Sequence, residues 1–338
     1  MTADTVGGVW TYAVELAHAL RPCGVEVHLA TMGRGLSPAQ AEEAGAFASV
    51  HVSTFPLEWQ HDPWPGVEQA GGWLLSLEQE LQPDVVHLNG YVHAALAWRT
   101  RPLVVAHSDV VSWFRAVRGT EAPAEWDVYR AAVAAGLRAA GRVVAPTAAV
   151  AADLRASYGF EGATVVPNCR RGELLAPADK EPLVLAAGRT WDDAKGVDAL
   201  CRVAPSLSAP VRVAGEGPGD LPGVDVLGPL AFPALAALLA RAAVYAAPAR
   251  YEPFGLGILE AALAGCALVL GDLPSLREVW GEAATYVHDD ASLVDALEEA
   301  LQDPSRGAAA RARALTYTPE RTAAGYLAAY AALPVGAR

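Results

Sequence analysis

Short apolar runs rich in valine alternate along the chain with stretches in which alanine and leucine recur at helical spacing. In the first half the runs cover residues 25–31, 50–53, 84–89, 103–107, 143–146 and 164–167. In the second half they cover 183–187, 211–214, 224–227, 244–247 and 267–270. Their nearly unbroken hydrophobicity predicts strands buried on both faces. Residues 10–20, 68–81 and 124–140 carry amphipathic patterns and predict helices. Such alternation predicts an α/β protein with two parallel, doubly wound sheets. Residues 169–181 interrupt the pattern with Arg170, Arg171, Gly172 and Pro177, and Pro182 follows. Two domains are therefore predicted, 1–172 and 173–338, with a last helix at 319–333 able to pack on either. At the start, Gly7 arrives after only about four strand-like residues, where about five or six are usual. The first strand is expected to be clipped, or to begin upstream.

Composition narrows the partners. The 338 residues are 53% hydrophobic, enough for two cores. The net charge is −13 and both halves are acidic, which disfavours nucleic acid or an anionic membrane surface as main partner. No apolar stretch is long enough to span a bilayer, and the opening residues do not have the pattern expected of a signal peptide. The four cysteines, Cys23, Cys169, Cys201 and Cys266, are widely spaced, which fits free thiols in a reducing cytoplasm. Lysine occurs only at Lys180 and Lys195.

The chemistry concentrates around Tyr251-Glu252-Pro253-Phe254-Gly255-Leu256-Gly257-Ile258-Leu259-Glu260. Pro253 disfavours a helical Glu252 and suits the first position of a helix. A helix is thus predicted from near Pro253 to Leu263, with Gly265 at its end. The open N–H groups of Phe254, Gly255 and Leu256 would then face an anion. Eight residues of helix would separate the two carboxylates by roughly 12 Å. That exceeds the roughly 5–9.5 Å of paired glycosidase carboxylates, so two ends of one long ligand suit them better than acid and base on one bond. An ordinary helix start with an exposed glutamate is the plain alternative.

A second signal is Gly188-Arg189 followed by Lys195-Gly196, just after the run 183–187. Ligands bind at the C-terminal edge of a parallel sheet, and two cations there suit a diphosphate or, equally, open solvent. Gly7-Gly8 opens the first predicted helix. His107, with Ser108 and Asp109 after it, ends one N-terminal run; His87 and Asn89 end another. Gly215-Glu216-Gly217-Pro218 follows the run 211–214, and Val226 lies in the next.

Glu252-x7-Glu260, with Pro-Phe-Gly-Leu inside it, resembles the E-x7-E motif of retaining GT-B glycosyltransferases, family 4 in particular. The resemblance extends over nearly the whole chain and is strongest in its second half. It implies two Rossmann-like domains facing across a cleft, with a nucleotide sugar on the C-terminal one and the acceptor on the other. Glu252 would contact donor-sugar hydroxyls, Glu260 the ribose, and the amides of Phe254, Gly255 and Leu256 the sugar or phosphate. Gly188, Arg189 and Lys195 would hold the leaving diphosphate, Gly215 and Glu216 the nucleotide, and Val226 the edge of the base. Gly7 and Gly8 would lie between donor and acceptor, and His107 near the transferred sugar. His87, Asn89, Ser108 and Asp109 are acceptor-side candidates. The expected reaction is transfer of a hexose, with retained configuration, to a hydroxyl of a sugar or small molecule. UDP-glucose is the default donor and GDP-mannose the next. No metal site or tightly bound cofactor is expected, and the oligomeric state is left open. The rivals are a GT-B epimerase or phosphorylase, and a non-catalytic sugar-nucleotide-binding descendant.

Overall fold

The computed structural model describes residues 1–5 and 7–334. They form two compact units. One comprises Met1–Cys169 together with the segment from Pro319 onward; the other is Arg170–Thr318.

Among the described residues, the first unit contains seven strands, all paired in parallel. They are β1 (Thr2–Asp4), β2 (His28–Met32), β3 (Ser49–Val52), β4 (His87–Leu88), β5 (Leu103–Val105), β6 (Arg142–Ala145) and β7 (Thr164–Val165). Ladders join β1-β2-β3 and β4-β5-β6-β7. Asn89 connects the two sheets: its backbone N–H donates to Thr2 Oγ1 (2.8 Å) and its side-chain amide to the Thr2 carbonyl (2.7 Å). β5 is fully buried, as its unbroken hydrophobicity requires. β1 has three residues, the short strand expected from the early glycine turn. The run at 84–89 yields only a two-residue strand, and beyond Leu88 the backbone turns to meet Thr2.

The helix predicted at 10–20 spans Gly8–Leu20, and that at 68–81 begins earlier, at Trp64. The stretch 124–140 opens with a tight turn, Ala124–Trp126, before the helix Asp127–Ala139. The C-terminal helix Pro319–Ala331 belongs to the first unit. The Thr322 hydroxyl donates to the Pro167 carbonyl, and Tyr330 bonds to His87.

The second unit carries β8 (Glu181–Ala187), β9 (Val211–Ala214), β10 (Asp225–Gly228), β11 (Ala242–Ala247), β12 (Ala267–Gly271) and β13 (Thr285–Val287). The order is β10-β9-β8-β11-β12-β13, all parallel. Alternate residues feed two cores. Leu183, Leu185 and Tyr245 pack with the helix Leu256–Leu263, while Val184, Ala186 and Val244 pack with the helix Asp290–Gln302. The strand order reverses between β8 and β11, and that is where such sheets open a crevice at their carboxyl ends. The boundary falls at Cys169/Arg170 instead of after residue 172, because Arg170 is tied into the second unit by Glu260. Among the described residues, no helix is long and apolar enough to cross a membrane.

Candidate active site

The loops after β8, β9 and β11 meet at the reversal point of the second sheet. Gly188 N–H donates to the Ala214 carbonyl (2.9 Å), and Gly215 N–H to the Gly228 carbonyl (2.8 Å). Gly215 has φ +150°, and a Cβ there would fall inside the Gly188 carbonyl, so the two turns stack backbone on backbone. On the other side, Arg250 N–H donates to the Ala194 carbonyl (2.8 Å), and the Arg250 guanidinium reaches the Asp193 carbonyl and the Asp198 carboxylate. These bonds stitch the loop 189–196 to the segment that carries Glu252.

Three charged candidates come together as a result. Lys195 Nζ donates to Glu252 Oε2 at 2.8 Å, although 57 residues separate them in sequence. Both side chains are largely buried but keep some access to solvent. Arg189 donates to Asp192 Oδ2 (2.8 Å), and Asp192 Oδ1 accepts the Ala194 N–H (3.0 Å). Asp192 thus aims Arg189 and shapes the turn leading to Lys195. Trp191, exposed to 55%, places its ring centroid 5.2 Å from the Arg189 guanidinium. Two cations lie in one loop, each on a carboxylate. An entering diphosphate would compete with these carboxylates for charge-assisted bonds.

The helix after Glu252 begins later than expected. It spans Leu256–Leu263, and Gly255 caps it at φ +86°. The open amides of its first turn are therefore those of Leu256, Gly257 and Ile258, two positions beyond the predicted set. The Phe254 side chain is buried against Tyr317, so Phe254 can offer a ligand only its backbone. Glu252 is held from behind: Ser275 Oγ donates to its carbonyl at 2.6 Å. Glu260 lies one helical turn further in, paired with buried Arg170. Tyr245, whose hydroxyl donates to the Ala187 carbonyl, sits near both glutamates; burial, then Glu260 and Glu252, push its pKa up. Glu216 is exposed on the β9 loop, and Val226 is half-buried on β10.

In the first unit, Gly7 caps the helix Gly8–Leu20. His107 Nε2 lies 2.9 Å from Asn89 Oδ1. The Asn89 amide is oriented by its donation to Thr2, so its oxygen faces the ring and Nε2 carries the proton. Burial lowers the His107 pKa to about 3, which leaves a neutral imidazole with Nδ1 as an acceptor. Asn89 is therefore engaged in joining the sheets and fixing His107, not offered to an acceptor.

His87, expected on the acceptor side, is turned inward instead. It is 3% exposed, with Tyr12 on Nε2 (3.3 Å) and Tyr330 on Nδ1 (2.8 Å), so it packs the interior. Asp109 caps the short helix Val110–Trp113 through the Ser112 N–H (2.9 Å) and accepts from the Tyr158 hydroxyl (2.7 Å). That is a structural duty. Ser108 remains exposed. The residues that sequence reading missed are Arg170, Asp192, Arg250 and Ser275. Each acts through a partner distant in sequence or through the backbone, and none belongs to the quoted motifs.

Comparison with known proteins gives a consistent picture. Residues 6–170 match the family model described as Glycosyltransferase Family 4, and residues 181–303 match Glycosyl transferases group 1. Over 84 residues the chain is 44% identical to a glycogen synthase of Mycobacterium tuberculosis, a stretch covering 24% of this chain and only 20% of that protein. Sucrose-phosphate synthase from Thermosynechococcus elongatus shares the fold with a TM-score of 0.77 at 19% identity, over 97% of this chain and 94% of that one. HepE of Anabaena, solved with UDP-glucose, aligns with a TM-score of 0.73 at 17% identity, covering 97% and 99%. WaaG, a glycosyltransferase involved in lipopolysaccharide biosynthesis, aligns at 0.72 and 18%, covering 96% and 98%. These likenesses show the GT-B fold.

Proposed function

The chain belongs to the family 4, group 1 glycosyltransferases, and we propose that it transfers a hexose from a nucleoside-diphosphate sugar to a hydroxyl acceptor with retained anomeric configuration. The observation that carries the reading is the meeting of Lys195 with Glu252 at the reversal point of the second sheet, with Arg189 in the same loop. Lys195 and Arg189 neutralise the charge that grows on the departing diphosphate. Glu252, released from Lys195 as the phosphates arrive, accepts from hydroxyls of the sugar. The first-turn amides of Leu256, Gly257 and Ile258 add positive potential beside it. Glu260 takes the ribose. Gly215 and Glu216 border the nucleotide, with Val226 towards the base.

We assign the acceptor to the first unit, where His107 offers Nδ1 as an acceptor and Ser108 is exposed. The leaving phosphate assists removal of the acceptor proton on the same face of the sugar. The donor is a substrate, and neither a metal nor a tightly bound cofactor is required. UDP-glucose is the first donor to try, supported by the HepE complex, and GDP-mannose the second.

The test is a thermal-shift screen of UDP, GDP, UDP-glucose and GDP-mannose, followed by proton NMR of products with simple sugar acceptors. At about 100 times its dissociation constant a ligand adds roughly 2.7 kcal/mol of stability, a readily visible shift. Stabilisation by one base family and an axial anomeric product from an axial donor are expected. An inverted product would remove the retaining mechanism. Release of an epimerised sugar nucleotide without acceptor would favour an epimerase, and binding without any transfer a non-catalytic descendant.

A further inference from the structure

Arg170 is the first residue of the second unit, and its side chain is only 3% exposed. Its Nε donates to Glu260 Oε1 at 2.8 Å, and Glu260 itself is 10% exposed. The guanidinium carbon lies 4.4 Å from the centroid of the Phe232 ring, at the start of the helix Phe232–Arg241. A buried carboxylate stays ionised only with a counter-charge and fixed geometry, because desolvation otherwise favours its protonated form. Arginine supplies both, since its planar fork is pre-organised and stacks on an aromatic face. Glu260 sits on the helix that also presents the open amides of the donor site, and Arg170 reaches it from the segment before β8.

We infer that Arg170 is a positioning residue: stacked on Phe232, it holds the Glu260 carboxylate ionised and aimed, so that it can accept from a ribose hydroxyl of the donor. The inference rests on the proposed placement of the ribose at Glu260. An ionised carboxylate is purely an acceptor, which matches a vicinal diol that donates. In this placement Arg170 acts on the nucleotide through Glu260. It therefore tunes discrimination between ribose and deoxyribose, not the chemical step.

The test measures dissociation constants of UDP and 2′-deoxy-UDP by calorimetry, or of GDP and 2′-deoxy-GDP if the guanine series binds. Wild type, Arg170→Met, Arg170→Lys, Phe232→Leu and Glu260→Gln are compared. Arg170→Met is expected to weaken the ribonucleotide about tenfold or more while leaving the deoxynucleotide nearly unchanged. Arg170→Lys should recover part of the loss, and kcat at saturating donor should hold in both. Equal weakening of the two nucleotides, or no change in either, would overturn the role of Arg170. If Arg170→Met does not fold, Phe232→Leu carries the test. It keeps the charge but loosens the guanidinium, and unchanged ribose discrimination there refutes the inference. Glu260→Gln separates the two layers. If it too leaves discrimination intact, the ribose placement itself fails; if it abolishes discrimination while the Arg170 variants do not, only the positioning role fails.

Discussion

Acidification should destabilise this protein through histidines that are folded in the neutral form. His107 has its pKa lowered by burial from 6.5 to about 3, and burial lowers that of His87 in the same direction. Between those values the unfolded chain binds a proton that the folded chain refuses. Stability is therefore full above about pH 6.5 and falls as pH drops through that value towards about 3. Each such histidine costs about 1.4 kcal/mol per pH unit within the window. From about pH 6.5 to about pH 5, His107 alone accounts for about 2 kcal/mol. The ring keeps partial solvent contact, which makes this figure a ceiling. Urea unfolding at about pH 7 and about pH 5 measures it, with His107→Gln as the reference. Glutamine can still donate to Asn89 Oδ1 but does not titrate. The variant should lose less stability on acidification than wild type, by up to about 2 kcal/mol. Identical pH slopes in the two proteins would refute the reading of His107 as a locked neutral imidazole.

Other expectations follow from single contacts. Asp109→Ala removes a helix cap and the Tyr158 hydrogen bond, and should cost about 1–2 kcal/mol in urea unfolding while nucleotide affinity is unchanged. Gly215→Ala places a methyl group in the Gly188 carbonyl and should lower stability by about 2 kcal/mol or more, with loss of the nucleotide-induced thermal shift. Ser275→Ala releases the Glu252 carbonyl, a bond worth about 1 kcal/mol; steady-state kinetics should show a several-fold rise in donor KM with little change in Tm.

Much of this fold is written in local pattern. The valine-rich runs mark buried parallel strands because they lack a polar alternate, and eleven of the thirteen strands among the described residues overlap a predicted run. β1 was recognised as short from its glycine turn. β13 was not recognised, since Thr285–Val287 has too little hydrophobicity to stand out beside the helices that cover it. The start of the helix after Glu252 was misplaced for a tertiary reason. Pro253 is a good first helical residue, but Gly255 takes a left-handed conformation and Ser275 fixes the Glu252 carbonyl from another helix. The same applies to His87. Its place at the end of a strand made it an acceptor candidate, and only the C-terminal helix, 243 residues later, reveals Tyr330 on its ring. Arg189, Lys195 and Glu252 stand out as candidates in the sequence because spacing and strand edges mark them, and the structure brings Lys195 onto Glu252. Arg170 was not, because its partner lies 90 residues away and its own segment resembles a linker.

The central claim is that the leaving diphosphate lies on Lys195. Calorimetric titration of UDP and of uridine into wild type and Lys195→Ala tests it most directly, with GDP and guanosine substituted if the screen selects guanine. A charge-assisted contact is worth about 1.5–3 kcal/mol, so the variant should bind UDP about tenfold or more weakly and uridine as wild type does. Unchanged affinity for UDP in Lys195→Ala would contradict the placement of the diphosphate, and with it the donor site described above.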